Sequence, residues 1–250
     1  MSIVITGASG HLARSTAEMV LDRVPASEVI LTTRHPEELS DLAERGAEVR
    51  EADFGRPEAL VRAFESGEKL LLISTDVVGA RVGQHRAAIE AAGEAGVRHV
   101  IYTSYLNPVA ENPAAVAPDH RETEEALRES GLEWTALRNG LYAEYQVPAG
   151  AQAIVTGRLV HNNGDGETAK VSREDCAAVA VDDEAFVHGL AASGMPEPAA
   201  RGVATFGQAI REGFIGGASG AVENLTDRPP RSLQEVFEAH RGDLMQGVSA

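Results

Sequence analysis
The chain has a single cysteine, Cys176, among its 250 residues, so no disulfide can close within it. Cys176 lies in Arg173-Glu174-Asp175-Cys176-Ala177-Ala178-Val179-Ala180, which reads as a helix. No base stands beside the thiol in sequence to activate it, and packing is its expected role. Cations are scarce: Lys+Arg number 22 against 38 Asp+Glu, a formal net charge of −16. Such a surface repels nucleic acid and anionic membranes, which excludes both as partners. It also means that a phosphate site must be local, built from backbone amides and one or two placed cations. No apolar run approaches the roughly 18 residues of a membrane span, and no signal peptide fits ahead of the apolar stretch at residue 2, so a cytoplasmic protein is expected. His and carboxylate residues are scattered without ligand spacing, so no metal is expected. There is no Gly-x-Ser-x-Gly elbow, which removes an α/β-hydrolase. No repeat and no low-complexity tract is present.

The most informative segment is the first dozen residues. Ser2-Ile3-Val4-Ile5 is a short apolar, β-branched run. It breaks into Thr6-Gly7-Ala8-Ser9-Gly10-His11-Leu12-Ala13 and continues into a helical pattern from Arg14 to Leu21. Strand, glycine turn and helix in that order make a phosphate cradle: outward-facing N–H groups and the helix dipole favour an anion, and Gly7 and Gly10 let it approach backbone that a Cβ would block. A merely tight structural turn is the plainer reading. Strand-like and helix-like stretches then alternate. Strands are expected over 28–33, 47–51, 69–73, 97–102 and 132–137, and helices over 37–45, 57–64, 82–95 and 119–129. This alternation needs a parallel sheet with right-handed crossovers. The fold expected is an α/β Rossmann-type, doubly wound parallel sheet, with a dinucleotide-binding domain over 1–145. Beyond residue 145 the pattern weakens. Residues 150–168 are rich in Gly and Asn with one possible strand at 158–161, 191–202 are rich in Ala, Pro and Gly, and 203–215 and 232–241 look helical. Residues 146–250 are expected to form a small C-terminal lobe packed on the first domain.

Strand two ends in Thr32-Thr33-Arg34. An NAD-selective site places an acidic residue there to bond both ribose hydroxyls. A guanidinium instead pairs bidentately with a 2′-phosphate, which points to NADPH, although a solvated arginine at a strand end is the bland alternative. Asp53, after strand three, either accepts from an adenine amino group or caps the region before Pro57. The segments Thr6-Gly7-Ala8-Ser9-Gly10, Arg34-His35-Pro36, Lys69-Leu70-Leu71-Leu72-Ile73-Ser74, Gln84-His85-Arg86, Tyr102-Thr103-Ser104 and Leu137-Arg138-Asn139-Gly140-Leu141-Tyr142-Ala143-Glu144 follow in that order. With them the chain resembles the NmrA-like, atypical short-chain dehydrogenase/reductase family, and most of all its bacterial NADPH-dependent quinone oxidoreductase type 2 branch. The resemblance covers roughly residues 1–180. It implies a Rossmann fold with NADPH across the carboxyl edge. It also implies cofactor contacts from Thr6, Gly7, Ala8, Ser9, Gly10, His11 and Leu12, from Arg34, from Ser74, Thr75 and Asp76, and from Asn139, Gly140, Leu141, Tyr142, Ala143 and Glu144.

Two departures stand out. Asp76 puts a carboxylate where the branch has a small hydroxyl residue. The stretch after Asp175 passes from Val181-Asp182-Asp183-Glu184-Ala185-Phe186 directly to what resembles the closing helices, so the substrate lobe is expected to be shortened. Ordinary short-chain reductases protonate a carbonyl with a Tyr assisted by a Lys four residues on. The matching helix here reads Asp119-His120-Arg121-Glu122-Thr123-Glu124, with no Tyr-x-x-x-Lys. His120 and Ser104 are the candidate proton-handling groups, and Tyr142 is the candidate to stack on the nicotinamide or substrate. His120 is alternatively an exposed residue on a charged helix, and Tyr102, Tyr105 and Trp134 need be no more than core. His85 is expected to cover the sheet edge rather than face the cleft. A quinone needs less proton assistance than a ketone, because its reduced ring is aromatic. An NADPH-dependent reductase of quinones or related conjugated carbonyls is therefore expected, with a small-molecule substrate and a homodimer left open. The other readings are a non-catalytic NADP(H)-binding redox regulator and a biosynthetic ketoreductase.

Overall fold
The computed structural model describes residues 2–22, 24–77, 79–139, 141–142, 146–163, 177–180, 196–211, 214, 232–239 and 241–246. The expectations for Cys176, for Gly140, Ala143 and Glu144, and for 181–186 fall outside these residues. Two compact units are present, Met1–Pro108 with Pro118–Arg138, and Val109–Ala117 with Asn139–Ala250.

The first unit is the expected alternation. Its strands are β1 (Ile3–Ile5), β2 (Val29–Thr33), β3 (Glu48–Glu51), β4 (Lys69–Leu72), β5 (His99–Tyr105) and β6 (Glu133–Asn139), the last ending one residue past the unit's boundary. Its helices are α1 (His11–Leu21), α2 (Ser40–Glu44), α3 (Pro57–Phe64), α4 (Arg81–Glu94) and α5 (Ala117–Glu129). The strand order is β3-β2-β1-β4-β5-β6, and the pairings β1–β2, β1–β4, β2–β3 and β4–β5 are all parallel. All five residues of β2 are buried, as a strand covered on both faces requires.

Successive strand residues point to opposite faces, and the sheet has a core on each. Val4, Ile30, Leu70, Leu72, Val100 and Tyr102 pack with Leu60, Phe64, Ala88, Ile89 and Leu127 of α3, α4 and α5. Ile5, Leu31 and Leu71 pack with Ala13 and Ala17 of α1 and with Leu42 of α2. Ala13 and Ala17, four apart, let α1 lie close to the sheet. Pro57 sits at the first turn of α3, where its missing N–H costs nothing. The chain leaves β1 in one direction to reach β3 and returns across it to β4. Open parallel sheets bind ligands outside the carboxyl ends of the strands at such a reversal. Thr6 secures this junction. Its hydroxyl donates to Leu71 O (3.2 Å) and accepts from the Ile73 N–H (2.9 Å).

In the second unit, β7 (Arg158–His161) is the strand expected there, and it pairs in parallel with β8 (Ala177–Ala180). The helix expected over 173–180 is thus corrected over its last four residues: Ala177–Ala180 take up the backbone hydrogen bonds of β7. A helix absent from the sequence reading, α6 (Gln146–Thr156), fills the Gly-rich stretch before β7. It ends at Gly157, whose φ of +67° admits a left-handed stop and whose N–H donates to Ala153 O (2.8 Å). Gly150 allows α6 to meet the helix pair α8 (Leu233–Ala239) and α9 (Arg241–Gln246): a Cβ there would lie 3.2 Å from Phe237 Cζ. The helix α7 (Glu197–Arg211) begins inside the Ala/Pro/Gly-rich stretch, ahead of the helix expected from residue 203. No helix among the described residues is long and apolar enough to cross a membrane.

Gly67 precedes β4 with no room for a side chain. A Cβ would lie 2.4 Å from Val4 Cγ2 and 3.0 Å from Phe64 O, both in the core. Gly67→Ala should therefore lower the unfolding free energy by about 1–3 kcal/mol through overpacking, read as a shift in urea midpoint with unchanged slope.

Candidate functional site
At the carboxyl end of β1 the backbone turns at Gly7, where φ is +60°. The Ala8 N–H donates to Thr32 O (2.9 Å), which pins the turn to β2, and the Gly10 N–H donates to Gly7 O (2.8 Å). A Cβ on Gly10 would meet that same oxygen at 3.2 Å. Gly10 is the residue before α1 and carries no side chain to cap it. The N–H groups of His11, Leu12 and Ala13 therefore keep the free donors of a helix start. Their aligned dipoles add partial positive charge at the same place. An anion fits here without any lysine.

Arg34 follows directly on β2. It is exposed and has no hydrogen bond or ion pair with any described residue. Its neighbours differ: Arg14 bonds to Glu38 O (3.2 Å) and pairs with Glu18 (3.2 Å) and Asp41. Asp53 is occupied locally. Its Oδ1 accepts from the Gly55 N–H (2.8 Å), forming the turn that leads into α3.

The loop after β4 is held from behind. The Thr75 N–H donates to His85 Nε2 (3.0 Å), and Thr75 O accepts from Arg81 Nε (2.6 Å). Arg81 and His85 are four apart on α4, and each reaches a residue of α5 that is also four apart. Arg81 pairs with Asp119 (3.0 Å) and His85 Nδ1 bonds Thr123 Oγ1 (2.9 Å). Both backbone groups of Thr75 are thus taken, while its Oγ1 is buried with no partner among the described residues. That orphaned hydroxyl, the open turn and the unpaired guanidinium all suit a polar, phosphate-bearing cofactor on this edge. Asp76, next in sequence to Thr75, is exposed.

His120 is not on the solvent face of its helix; it is 6% exposed. Its Nδ1 lies 2.6 Å from Tyr102 OH, and its ring stacks on Tyr105. Burial, and then the charge of Arg81, push its pKa down to about 4. His85 is fully buried rather than covering an edge, and burial followed by His120 and Arg81 pushes it down to about 3. Both imidazoles are neutral at pH 7. Tyr102, 0% exposed, is core, and burial raises its hydroxyl pKa well above the usual range. Ser104 is buried and donates to Glu124 Oε1 (2.7 Å). Glu124 does not bond His120, four residues before it. Burial alone would raise its carboxyl, but hydrogen bonds from Arg138 (2.9 and 2.6 Å) and Ser104 outweigh this and lower it. Trp134 packs against the core beneath Arg128. In the second unit, Asn139 Nδ2 donates to Tyr142 OH (3.1 Å), and Tyr142 is exposed. Sequence reasoning missed Thr33, Arg81 and the Arg138–Glu124 pair. The i,i+4 spacings of 81/85 and 119/123 were readable, but the pairing between two helices was not. Among the described residues no group of three His, Cys, Asp or Glu is placed to hold a metal.

Residues 7–183 match a family model described as NAD(P)H-binding. Quinone oxidoreductase 2 of Escherichia coli K12 is 42% identical over 178 residues, 71% of this chain and 62% of that protein. An NmrA-like family domain-containing oxidoreductase of Aspergillus flavus is 35% identical over 183 residues, 71% of this chain and 59% of that one. The matches thus span about three fifths of these relatives. Among solved structures, the E. coli NADPH-dependent quinone oxidoreductase complexed with NADPH superposes with a TM-score of 0.89 at 30% identity, over 95% of this chain and 99% of that one. The Citrobacter triphenylmethane reductase complexed with NADP(H) gives 0.84 at 28% identity, over 96% and 100%.

The two depressed histidines set a pH dependence. Unfolded, each takes a proton near 6.5; folded, His120 and His85 do so only near 4 and 3. Their stability contribution is complete above pH 6.5 and is lost as the pH falls below it. Between pH 6.5 and 5 the unfolding free energy should drop by about 2 kcal/mol per histidine. Urea titrations at the two pH values measure the drop, and His120→Asn should shrink it.

Proposed function
The chain belongs to the NAD(P)H-binding family, among NmrA-like reductases, and from that premise we propose that it is an NADPH-dependent oxidoreductase that reduces quinones or related conjugated carbonyls. The observation that carries this is the open helix start of α1 beside a guanidinium that no other described residue holds. When bound, NADPH supplies the hydride. The amides of His11, Leu12 and Ala13 would hold the pyrophosphate, with Gly7 and Gly10 letting it approach, and Arg34 would hold the 2′-phosphate. The Ser74–Asp76 loop, braced by Arg81 and His85, supports the nicotinamide end.

A quinone suits the proton inventory better than a simple ketone. Ser104 spends its proton on Glu124, and His120 is a neutral partner of Tyr102. Neither stands ready as an acid at pH 7. Hydride and one proton convert a quinone to an aromatic hydroquinone, and water supplies that proton. What remains for the protein is to hold donor and acceptor together, worth roughly 7–11 kcal/mol at best. The names of the similar proteins, quinone oxidoreductase 2 in sequence and NADPH-dependent quinone oxidoreductase in structure, support the same substrate class.

The purified protein with NADPH and a panel of quinones should lose absorbance at 340 nm faster than the enzyme-free control. Nucleotide binding without absorbance loss on any quinone would instead favour a binder that reports redox state. Arg34→Glu should weaken NADPH by at least about 1.5–3 kcal/mol and NADH far less, read by calorimetry. Equal loss for both would remove Arg34 as the selector.

A further inference from the structure
We propose that Thr33 is a positioning residue for nucleotide selection: its hydroxyl ties the glycine turn to the segment bearing Arg34 and so sets where that guanidinium stands. This rests on the role given to Arg34 above. Thr33 is the last residue of β2 and is 3% exposed. Its Oγ1 accepts from the His35 N–H (3.2 Å) and lies 3.0 Å from Ser9 Oγ. Its carbonyl accepts from the Ala52 N–H (2.8 Å). Arg34 sits between residues 33 and 35 with a side chain bonded to nothing among the described residues. Its location is therefore fixed through the backbone on either side, and the Thr33 hydroxyl holds one of those sides.

The hydrogen-bond direction adds a second element. One lone pair of Thr33 Oγ1 is taken by the His35 N–H, and its own proton is free to go to Ser9 Oγ. Ser9 then keeps its proton for an outside acceptor. The opposite arrangement would turn a Ser9 lone pair toward an arriving anion. A donor chain thus runs from the His35 amide through Thr33 to Ser9, each bond strengthening the next. Because Ser9 Oγ reaches Thr33, an acceptor at Ser9 lies on the Arg34 side of the turn. The amides of His11 to Ala13 serve the pyrophosphate common to both nucleotides. The Thr33 chain serves the phosphate that only NADPH carries.

Thr33→Val keeps shape and β-branching and removes the oxygen. Calorimetry on the full chain should show the NADPH dissociation constant rising about tenfold, as for one lost hydrogen bond, with NADH within about twofold of wild type. Thr33→Ser should restore NADPH binding. In an Arg34→Ala background the Thr33→Val change should cost NADPH binding less than it does in the wild type, the remainder being the part carried by Ser9, whereas a general loosening of the fold would cost the same in both. Equal weakening of both nucleotides, or no weakening, overturns the proposal. Should Thr33→Val fail to fold, Ser9→Ala, on the half-buried turn, gives the same readout: selective loss of NADPH supports the chain and unchanged NADPH binding overturns it. A wild-type protein without preference for NADPH would refute the Arg34 reading itself, before any Thr33 variant is compared.

Discussion
Everything at the candidate site depends on backbone amides that have no acceptor of their own. A helix start always has such donors, and most chains satisfy them with a Ser, Thr, Asp or Asn side chain. Here the capping position is Gly10, which has nothing to offer. The same glycine admits a close approach, since even a Cβ would press on Gly7 O. In the proposed reading, a chain of net charge −16 holds an anion through a local field, made by dipoles and completed by Arg34 after the neighbouring strand, which would outweigh the long-range repulsion.

That geometry needs a rigid frame, and the first unit supplies it at the carboxyl ends of five strands. Thr6 locks β1 to β4 across the reversal point. The turn is tied to β2 through Ala8 and Thr32. Beyond β4, helix α5 acts as a post. Asp119 and Thr123 receive Arg81 and His85, which grip both sides of the Thr75 peptide, while Glu124 gathers Ser104 from β5 and Arg138 from β6. Buried polar groups such as these are costly unless paired. Their pairing explains why this edge contains a neutral imidazole cluster and a fixed carboxylate rather than a mobile acid. On α5 the inward-facing polar residues Asp119, His120, Thr123 and Glu124 hold α4 and the neighbouring strands, while Arg121, Glu122 and Glu125 face solvent.

The sheet was legible because its signals are local. Apolar β-branched runs, a glycine turn, and prolines at 36 and 57 mark strands and helix starts within a few residues, and Arg34 stands out against the acidic residue expected for NAD. What stayed hidden depends on long-range pairing. On a helix of Asp, Arg and Glu, His120 reads equally as an acid or as a surface residue; only the packing of α5 against β5 shows it buried and bonded to Tyr102. His85 reads as an edge residue until Thr75 and Thr123 are seen on either side of its ring. In the second unit α6 is masked by Gly150 and the Gly157 stop, since glycine disfavours a helix until a partner such as Phe237 needs the space. Ala177–Ala180 shows the converse, a run of good helix formers drawn into a strand by β7.

The most direct test of the central claim is an amide NMR titration of the whole chain with NADP⁺. The account predicts that the backbone amides of His11, Leu12 and Ala13 shift with saturation, together with the side-chain Nε–H of Arg34. Saturable binding that leaves those four signals in place would contradict it.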